Sequence, residues 1–286
     1  MINSFKTELW KATHNGLFYL AILLAFLICV ADVSQNASSV VTLTQLTDEM
    51  IADGYLLSTD PAGYSLFVKW IPVNGWSFGS QLFALIWPIL SAMPFGWSLA
   101  QERRIGAYNL IVTKTKLRTY YSSKYIATFI SGGLVIYFLV MGDLFLNSLF
   151  CPDVLPRVEV LASGIHNGCF LSALYYTHPW WFALIWGCVS FLWGGTVACL
   201  CLTAGSLIKH KTMIILFPIF LLWTFNIISM FIMHIVDFPQ EISPLYLILA
   251  DPGRLNPGWI IFSEISVLLL LSYCIGYWQV KKHELV

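Results

Sequence analysis

The sequence predicts an all-helical, polytopic membrane protein, and three observations predict it. Of 286 residues, 58% are hydrophobic and only 10% charged, against roughly 25% charged in soluble domains. Mean hydropathy is +0.75, too apolar for a chain that must cover a water-facing globule with polar surface. The apolar residues fall in continuous runs, whereas lipid-facing barrel strands alternate apolar and polar positions, so the spanning elements are helices. Fifteen basic and fifteen acidic side chains cancel, which leaves no net positive charge for nucleic acid. Aromatic content of 16%, including 12 Trp, suits rings placed at membrane–water interfaces.

A helix needs about 20 mostly apolar residues to cross hydrocarbon. Six segments qualify, near 17–32, 79–100, 125–150, 180–208, 212–236 and 258–279, within one transmembrane domain covering 1–286. Ahead of them, residues 2–15 place Phe5, Leu9 and Trp10 on one stripe with Lys6, Glu8 and Lys11 elsewhere; this reads as an N-terminal interfacial helix. No small-x-small cleavage site follows Val30, so the first span is expected to be retained.

Residues 33–76 are the expected outer loop, polar at first and aromatic at the end (Tyr64, Phe67, Trp70, Trp76), with Pro61 and Pro72 as breakers. A partly helical loop resting on the outer leaflet fits that gradient, and Asn36-Ala37-Ser38 forms a glycosylation triplet. Pro88 and Pro94 are expected to bend the second span and Pro218 the fifth. Gly187, Gly194, Gly195 and Ala198 give the fourth span a small-residue surface for close packing within the bundle. No internal repeat supports an inverted-repeat transporter.

Charge sets the expected orientation. Lys6, Lys11, Arg103, Arg104, Lys114, Lys116, Arg118, Lys124, Lys209, Lys211, Lys281 and Lys282 fall on one side of the six spans, and only Lys69, Arg157 and Arg254 on the other. The positive-inside rule then makes both termini cytoplasmic.

Motifs for self-contained catalysis are missing: there is no HExxH, GxSxG or GxxxxGK[ST]. Of six His only His234 lies in a span, so paired axial haem ligands within the bilayer are excluded. Cys29, Cys188, Cys199, Cys201 and Cys274 sit in apolar runs and read as small buried hydrophobes. Cys199 and Cys201 cannot share a metal on one helix, because residues two apart point about 200° apart; no metal site is indicated. Cys151 and Cys169 share an outer connection, where a disulfide closing a loop of about 18 residues would contribute roughly 3 kcal/mol. Ionisable groups inside a bilayer are costly and tend to be functional. Asp143, Glu264 and His234 are the candidates, either for a substrate pathway or for structural hydrogen bonding.

The connection between spans two and three reads LAQERRIGAYNLIVTKTKLRTYYSSKYIATF. Glu102, Arg103 and Arg104 close the second span, Gly106 follows, and Ile105, Leu110, Ile111 and Leu117 form an amphipathic stretch ahead of Lys124. Such an element suits docking on a soluble partner, with apolar anchors in a groove and charges setting register. Here the sequence resembles the permease subunits of type 2 ABC transporters. Their loose pattern of an acidic residue, a Gly about four later, an apolar stretch and a basic residue opening the third span is matched by Glu102, Gly106, Leu110-Ile111 and Lys124.

The resemblance implies six spans, an interfacial N-terminal helix and a coupling helix at 102–118. It also implies a second permease subunit, identical or homologous, and separate cytoplasmic ATPases that carry ATP and Mg, with no cofactor in this chain. The cargo it implies is hydrophobic or amphipathic (peptide, lipid or drug), as in bacterial cell-membrane exporters of antimicrobial peptides or self-immunity components. An intramembrane enzyme using Glu264, Asp143 or His234, and a non-transporting membrane assembly factor, are the alternatives. The orientation has a direct check. A cysteine introduced at Asp53 should react with an impermeant maleimide in intact cells, and reaction only after permeabilisation would reverse the topology.

Overall fold

The computed structural model describes residues 2–53, 65–157, 165–166, 168–208, 210–251 and 253–282. Eleven helices order these residues: α1 (Ile2–Thr13), α2 (Gly16–Ala52), α3 (Leu66–Lys69), α4 (Phe78–Ala92), α5 (Ser98–Arg104), α6 (Ala107–Lys114), α7 (Leu117–Asn147), α8 (Ser172–Thr177), α9 (Pro179–Ala204), α10 (Lys211–Val236) and α11 (Gly258–Lys282). Among the described residues there is no strand, only an isolated bridge between Gln240 and Leu255. Five helices are long and apolar enough to cross a membrane: α2 over Gly16–Thr42, α7, α9, α10 and α11.

The expected second span is interrupted. α4 has 15 residues, short of the roughly 20 that hydrocarbon requires, and a turn at 93–97 separates it from α5. Pro94 has no N–H to continue the ladder, so α4 stops beside it. Gly96 lets the turn approach α9 so closely that a Cβ there would lie 2.5 Å from Cys201 Sγ. Pro88, by contrast, is accommodated within α4, and Pro218 within α10.

The boundary after the first span is also corrected. α2 does not end near Asp32 but continues to Ala52. Its polar half is compatible with a helix: Ser34, Ser38, Ser39, Thr42 and Thr44 each donate a hydroxyl to a carbonyl three or four residues back along it. Tyr64 and Pro61 lie outside the described residues. Phe67 and Trp70 do not rest on a leaflet: both are fully buried, and Trp76 alone of the described aromatic positions is exposed.

α9 is the central helix and packs against α7, α4, α10 and α11. Its small residues meet α7 at backbone range: a Cβ on Gly194 would lie 2.7 Å from Ile136 Cγ1 and 3.0 Å from Gly132 O. Gly133 faces the Phe191 backbone and Gly187 faces Met141 in the same interface. This seam is dry and unforgiving, because overpacking forces strain into neighbouring helices.

At the end of α9 opposite α1, the irregular stretch 238–251 folds back into the bundle and buries Leu245, Leu247, Ile248 and Ala250. Buried carbonyls need donors, and tryptophans supply two of them: Trp87 Nε1 donates to Leu245 O at 3.3 Å and Trp186 Nε1 to Ile248 O at 3.0 Å. Trp70 Nε1 likewise donates to Val140 O at 2.7 Å. These indoles are thus internal struts rather than interfacial anchors.

The glycine seam yields a paired prediction. Gly132→Val, whose side chain would meet Ala198 and the Ser91 carbonyl, should lower stability by about 1–3 kcal/mol or more. Gly142→Ala, on the same helix with open space around it, should be neutral or slightly stabilising. Thermal unfolding of the purified variants in detergent compares them, and equal behaviour would contradict the α7–α9 packing.

Candidate functional site: a buried ion cluster under the charged connection

The residues between the second and third apolar runs form two short helices rather than one. α5 ends at Arg104, and Gly106 turns the chain in the left-handed region (φ 75°) to cap α6. That backbone favours glycine, and Gly106 is exposed with nothing near its Cβ position. α7 then begins at Leu117 and carries Lys124 inward.

Lys124 is fully buried. Its Nζ lies 2.8 Å from Glu8 Oε2 and 3.0 Å from Glu102 Oε1, with the Ser98 hydroxyl at 3.5 Å and the Phe95 ring face at 4.7 Å from its centroid. Lys11 completes the cluster at 2.8 Å from Glu8 and 3.3 Å from Glu102, and the Tyr120 hydroxyl donates to Glu102. Two carboxylates and two ammonium groups alternate, so the cluster is neutral as a whole. Burial pushes the Glu102 carboxyl up, but the Lys124 charge, the Tyr120 hydroxyl and Lys11 outweigh it and hold it below its ordinary range. Its stabilisation is therefore present above the unfolded carboxyl range and is lost as pH falls through the lowered titration.

This geometry shows which side of α1 meets the bundle. Glu8 and Ala12 are its buried positions, with Leu9 packed beside Ala12, Phe95 and Ala127, while Trp10 is 62% exposed and stacks on His14. The amphipathic pattern groups Phe5, Leu9 and Trp10 and leaves Glu8 elsewhere; Glu8 faces the bundle, where it pairs with the buried ammonium on α7. Asn15 fastens the junction, donating to Pro94 O at 2.9 Å and accepting from Phe18 N at 3.0 Å.

Glu102 and Arg103 are consequently turned inward. Arg103 donates to Ser206 O at 3.3 Å and its guanidinium covers the Tyr108 ring at 5.3 Å; burial lowers its pKa despite Tyr108. Ile111 is half-buried against the Tyr108, Tyr120 and Tyr121 cluster. The exposed positions of the connection include Arg104, Ile105 (66%), Leu110 (68%), Lys116 and Arg118.

Asp143 belongs to a second polar cluster, at the other end of α7. Its Oδ2 accepts from Ile71 N at 2.9 Å and its Oδ1 from Asn147 Nδ2 at 3.0 Å. Asn36 Nδ2 donates to Asp32 Oδ2 at 2.6 Å, to Asn147 Oδ1 at 3.1 Å and to Lys69 O at 3.1 Å. Asp32, Asn36, Asp143 and Asn147 are all buried, so Asn36 is closed off as a glycosylation acceptor in the folded chain.

Glu264 is half-buried on α11, and its Oε2 has no hydrogen-bond partner among the described residues. His234 and Glu241 line a cavity of about 590 Å³ beside Met230, Phe231 and Arg254. Neither His234 nor Glu264 is among the hydrogen-bond partners of Asp143.

The bridge expected between Cys151 and Cys169 is not formed; both are buried free thiols. Cys151 follows the end of α7, with its N–H on Asn147 O at 2.9 Å, whereas Cys169 Sγ faces Arg254 O at 3.7 Å, so each thiol is held by a different part of the chain. Cys188 and Cys274 face outward rather than inward. Cys199 and Cys201 diverge, with sulfurs directed at Tyr125 O and Ile214 O. Among the described residues no three His, Cys, Asp or Glu side chains gather as metal ligands.

Sequence reasoning missed Glu8, Lys11, Tyr120, Asp32, Asn36 and Asn147. One signal was present: Asp-x-x-x-Asn occurs at 32–36 and again at 143–147, a spacing that puts both polar groups on one helix face. Comparison with protein-family models and with curated proteins returns no match.

Removing one partner of a buried ion pair leaves an uncompensated charge and costs about 3–5 kcal/mol. Lys124→Met should show a loss of that size in unfolding of the detergent-purified chain. Adding Glu8→Gln should recover part of it by neutralising one stranded carboxylate. A Lys124→Met protein as stable as wild type would contradict the network.

Proposed function

We propose that this chain is the membrane-spanning permease subunit of a type 2 ABC transporter. In this reading the second of six crossings runs over about 79–100, through α4, the 93–97 turn and the first residues of α5, and both termini are cytoplasmic. The segment 102–118, which holds the end of α5 and all of α6, is the coupling element against which a separate ATPase, carrying ATP and Mg, closes. The chain itself is not catalytic and pairs with a second permease, identical or homologous. Its cargo is hydrophobic or amphipathic, as for a bacterial exporter of antimicrobial-peptide or immunity type.

The observation that carries the reading is the ion cluster. It joins α1, α5 and α7 through Glu8, Glu102 and Lys124 directly behind a short helical connection whose Ile105 and Leu110 are exposed. A push on that connection is delivered to α7 through charges at fixed distances rather than lost in a pliant loop. The basic bias of this end agrees with a cytoplasmic placement. Ile105 also borders a groove of about 330 Å³ with Phe95, Trp97 and Ile111, where an apolar side chain of a partner fits. Apolar anchors supply most of such binding energy.

Ile105→Asp/Leu110→Asp is the test, because Ile111 is partly committed to internal packing. The double variant should insert normally but lose co-purification with the ATPase and lose export. Normal assembly and export in that variant would overturn the coupling assignment.

A further inference from the structure

Beside the ion cluster, on the other flank of Trp97, a cavity of about 240 Å³ is lined by Trp97, Ala100, Gln101, Arg104, Ile105 and Lys211. Two of its side chains are cations and none is an acid. Glu102, the acid nearest in sequence, is already committed to Lys124, Lys11 and Tyr120. Among the described residues neither Arg104 nor Lys211 forms an ion pair. Lys211 Nζ is held 3.5 Å above the Trp97 ring, and that ring is itself fixed by its indole N–H on Met93 O at 2.9 Å. The two charges are thus gathered at a concave site that lacks a counter-ion.

The position of the site says which anion fits. Lys211 is the first residue of the apolar helix α10, so the cations stand at the level where a spanning helix enters the bilayer. Exposed apolar side chains flank them, Leu207 at 72% and Met213 at 59%. A ligand with a negative head and a hydrocarbon tail matches both features, with the head between the cations and the tail along Met213. Basic pockets between spanning helices bind acidic head groups in this way, and the Trp97 face adds an amphipathic wall at the interface.

We propose that this cavity is a binding site for an anionic phospholipid, whose phosphate is held by Arg104 and Lys211. The site goes beyond the transporter reading and does not depend on any ATPase, so it is tested on the isolated full chain. The purified protein in non-ionic detergent is mixed with phosphatidylglycerol, phosphatidylcholine or inorganic phosphate. Retained lipid is read by native mass spectrometry and stability by thermal unfolding.

Phosphatidylglycerol should be retained and should raise the unfolding temperature, whereas phosphatidylcholine should do neither. Arg104→Gln and Lys211→Gln should each weaken retention about fivefold, the worth of one basic side chain near an anionic surface. Lys6→Gln, an exposed lysine of α1 outside the cavity, should leave retention unchanged. Unaltered retention in the Arg104→Gln/Lys211→Gln double variant, or equal retention of the two lipids, overturns the proposal. Displacement of phosphatidylglycerol by inorganic phosphate at equal concentration assigns a free-anion site instead and overturns the lipid assignment.

Discussion

A fully buried ammonium group on Lys124 constrains the basic end of the molecule. Taking such a charge from water costs several kcal/mol, which only close and complete pairing offsets. Pairing here draws on three separate stretches of chain: Glu8 from α1, Glu102 from α5, and Tyr120 one turn earlier on α7. The Pro94 break has its structural counterpart in the same place. By ending α4 and starting a turn, it brings Phe95 under the ammonium and Ser98 within 3.5 Å of it. A straight second span would carry these residues along one continuous helical face; the turn gathers them around one charge.

The opposite end of α7 is pinned by a different chemistry. Around Asp32 and Asp143 the donors are neutral: two asparagine amides and the Ile71 N–H. Between the two polar ends lies the dry seam of α7 and α9, where glycines bring backbones into contact. Polar pairs set which helices meet and in what register, and small residues set how closely. That division suits a bilayer, where the contrast between lipid and protein interior gives helices little hydrophobic drive to associate. It also separates a pinned core from two flanking helices. α10 and α11 keep large apolar side chains outward along most of their length, and each leans on α9.

How much of this was legible follows from what kind of information each feature needs. Apolar runs located the starts of α9, α10 and α11 to within a residue of the segments expected, because continuous hydrophobicity is a local property. The extent of α2 was not legible, since polar residues after Asp32 look like a loop until their hydroxyls are seen to bond along the helix. A break at Pro94 but not at Pro88 was not legible either; the turn after Pro94 packs Gly96 against Cys201, more than a hundred residues away in sequence. Which face of α1 meets the bundle was not legible for a related reason: the burial of Glu8 follows from the position of Lys124, far along the sequence. The repeated Asp-x-x-x-Asn spacing was readable in the sequence, but that the two copies would meet required knowing that α2 packs on α7.

Burying Glu102 and Arg103 changes what the exposed connection can offer a partner. Their charges are engaged internally, by Lys124 and Lys11 for one and by Ser206 and Tyr108 for the other, so they are removed from the rim. Among what remains outward are Ile105 and Leu110, on a backbone whose turn at Gly106 is fixed by its left-handed conformation. In the coupling role proposed above, recognition of that surface would rest on shape and apolar anchoring, with rim charge from Arg104, Lys116 and Arg118. Rigidity becomes the determining property, because anchors bind tightly only when their positions are set in advance. The ion cluster supplies that rigidity from behind, since Glu102 on α5 and Lys124 on α7 bond directly to each other.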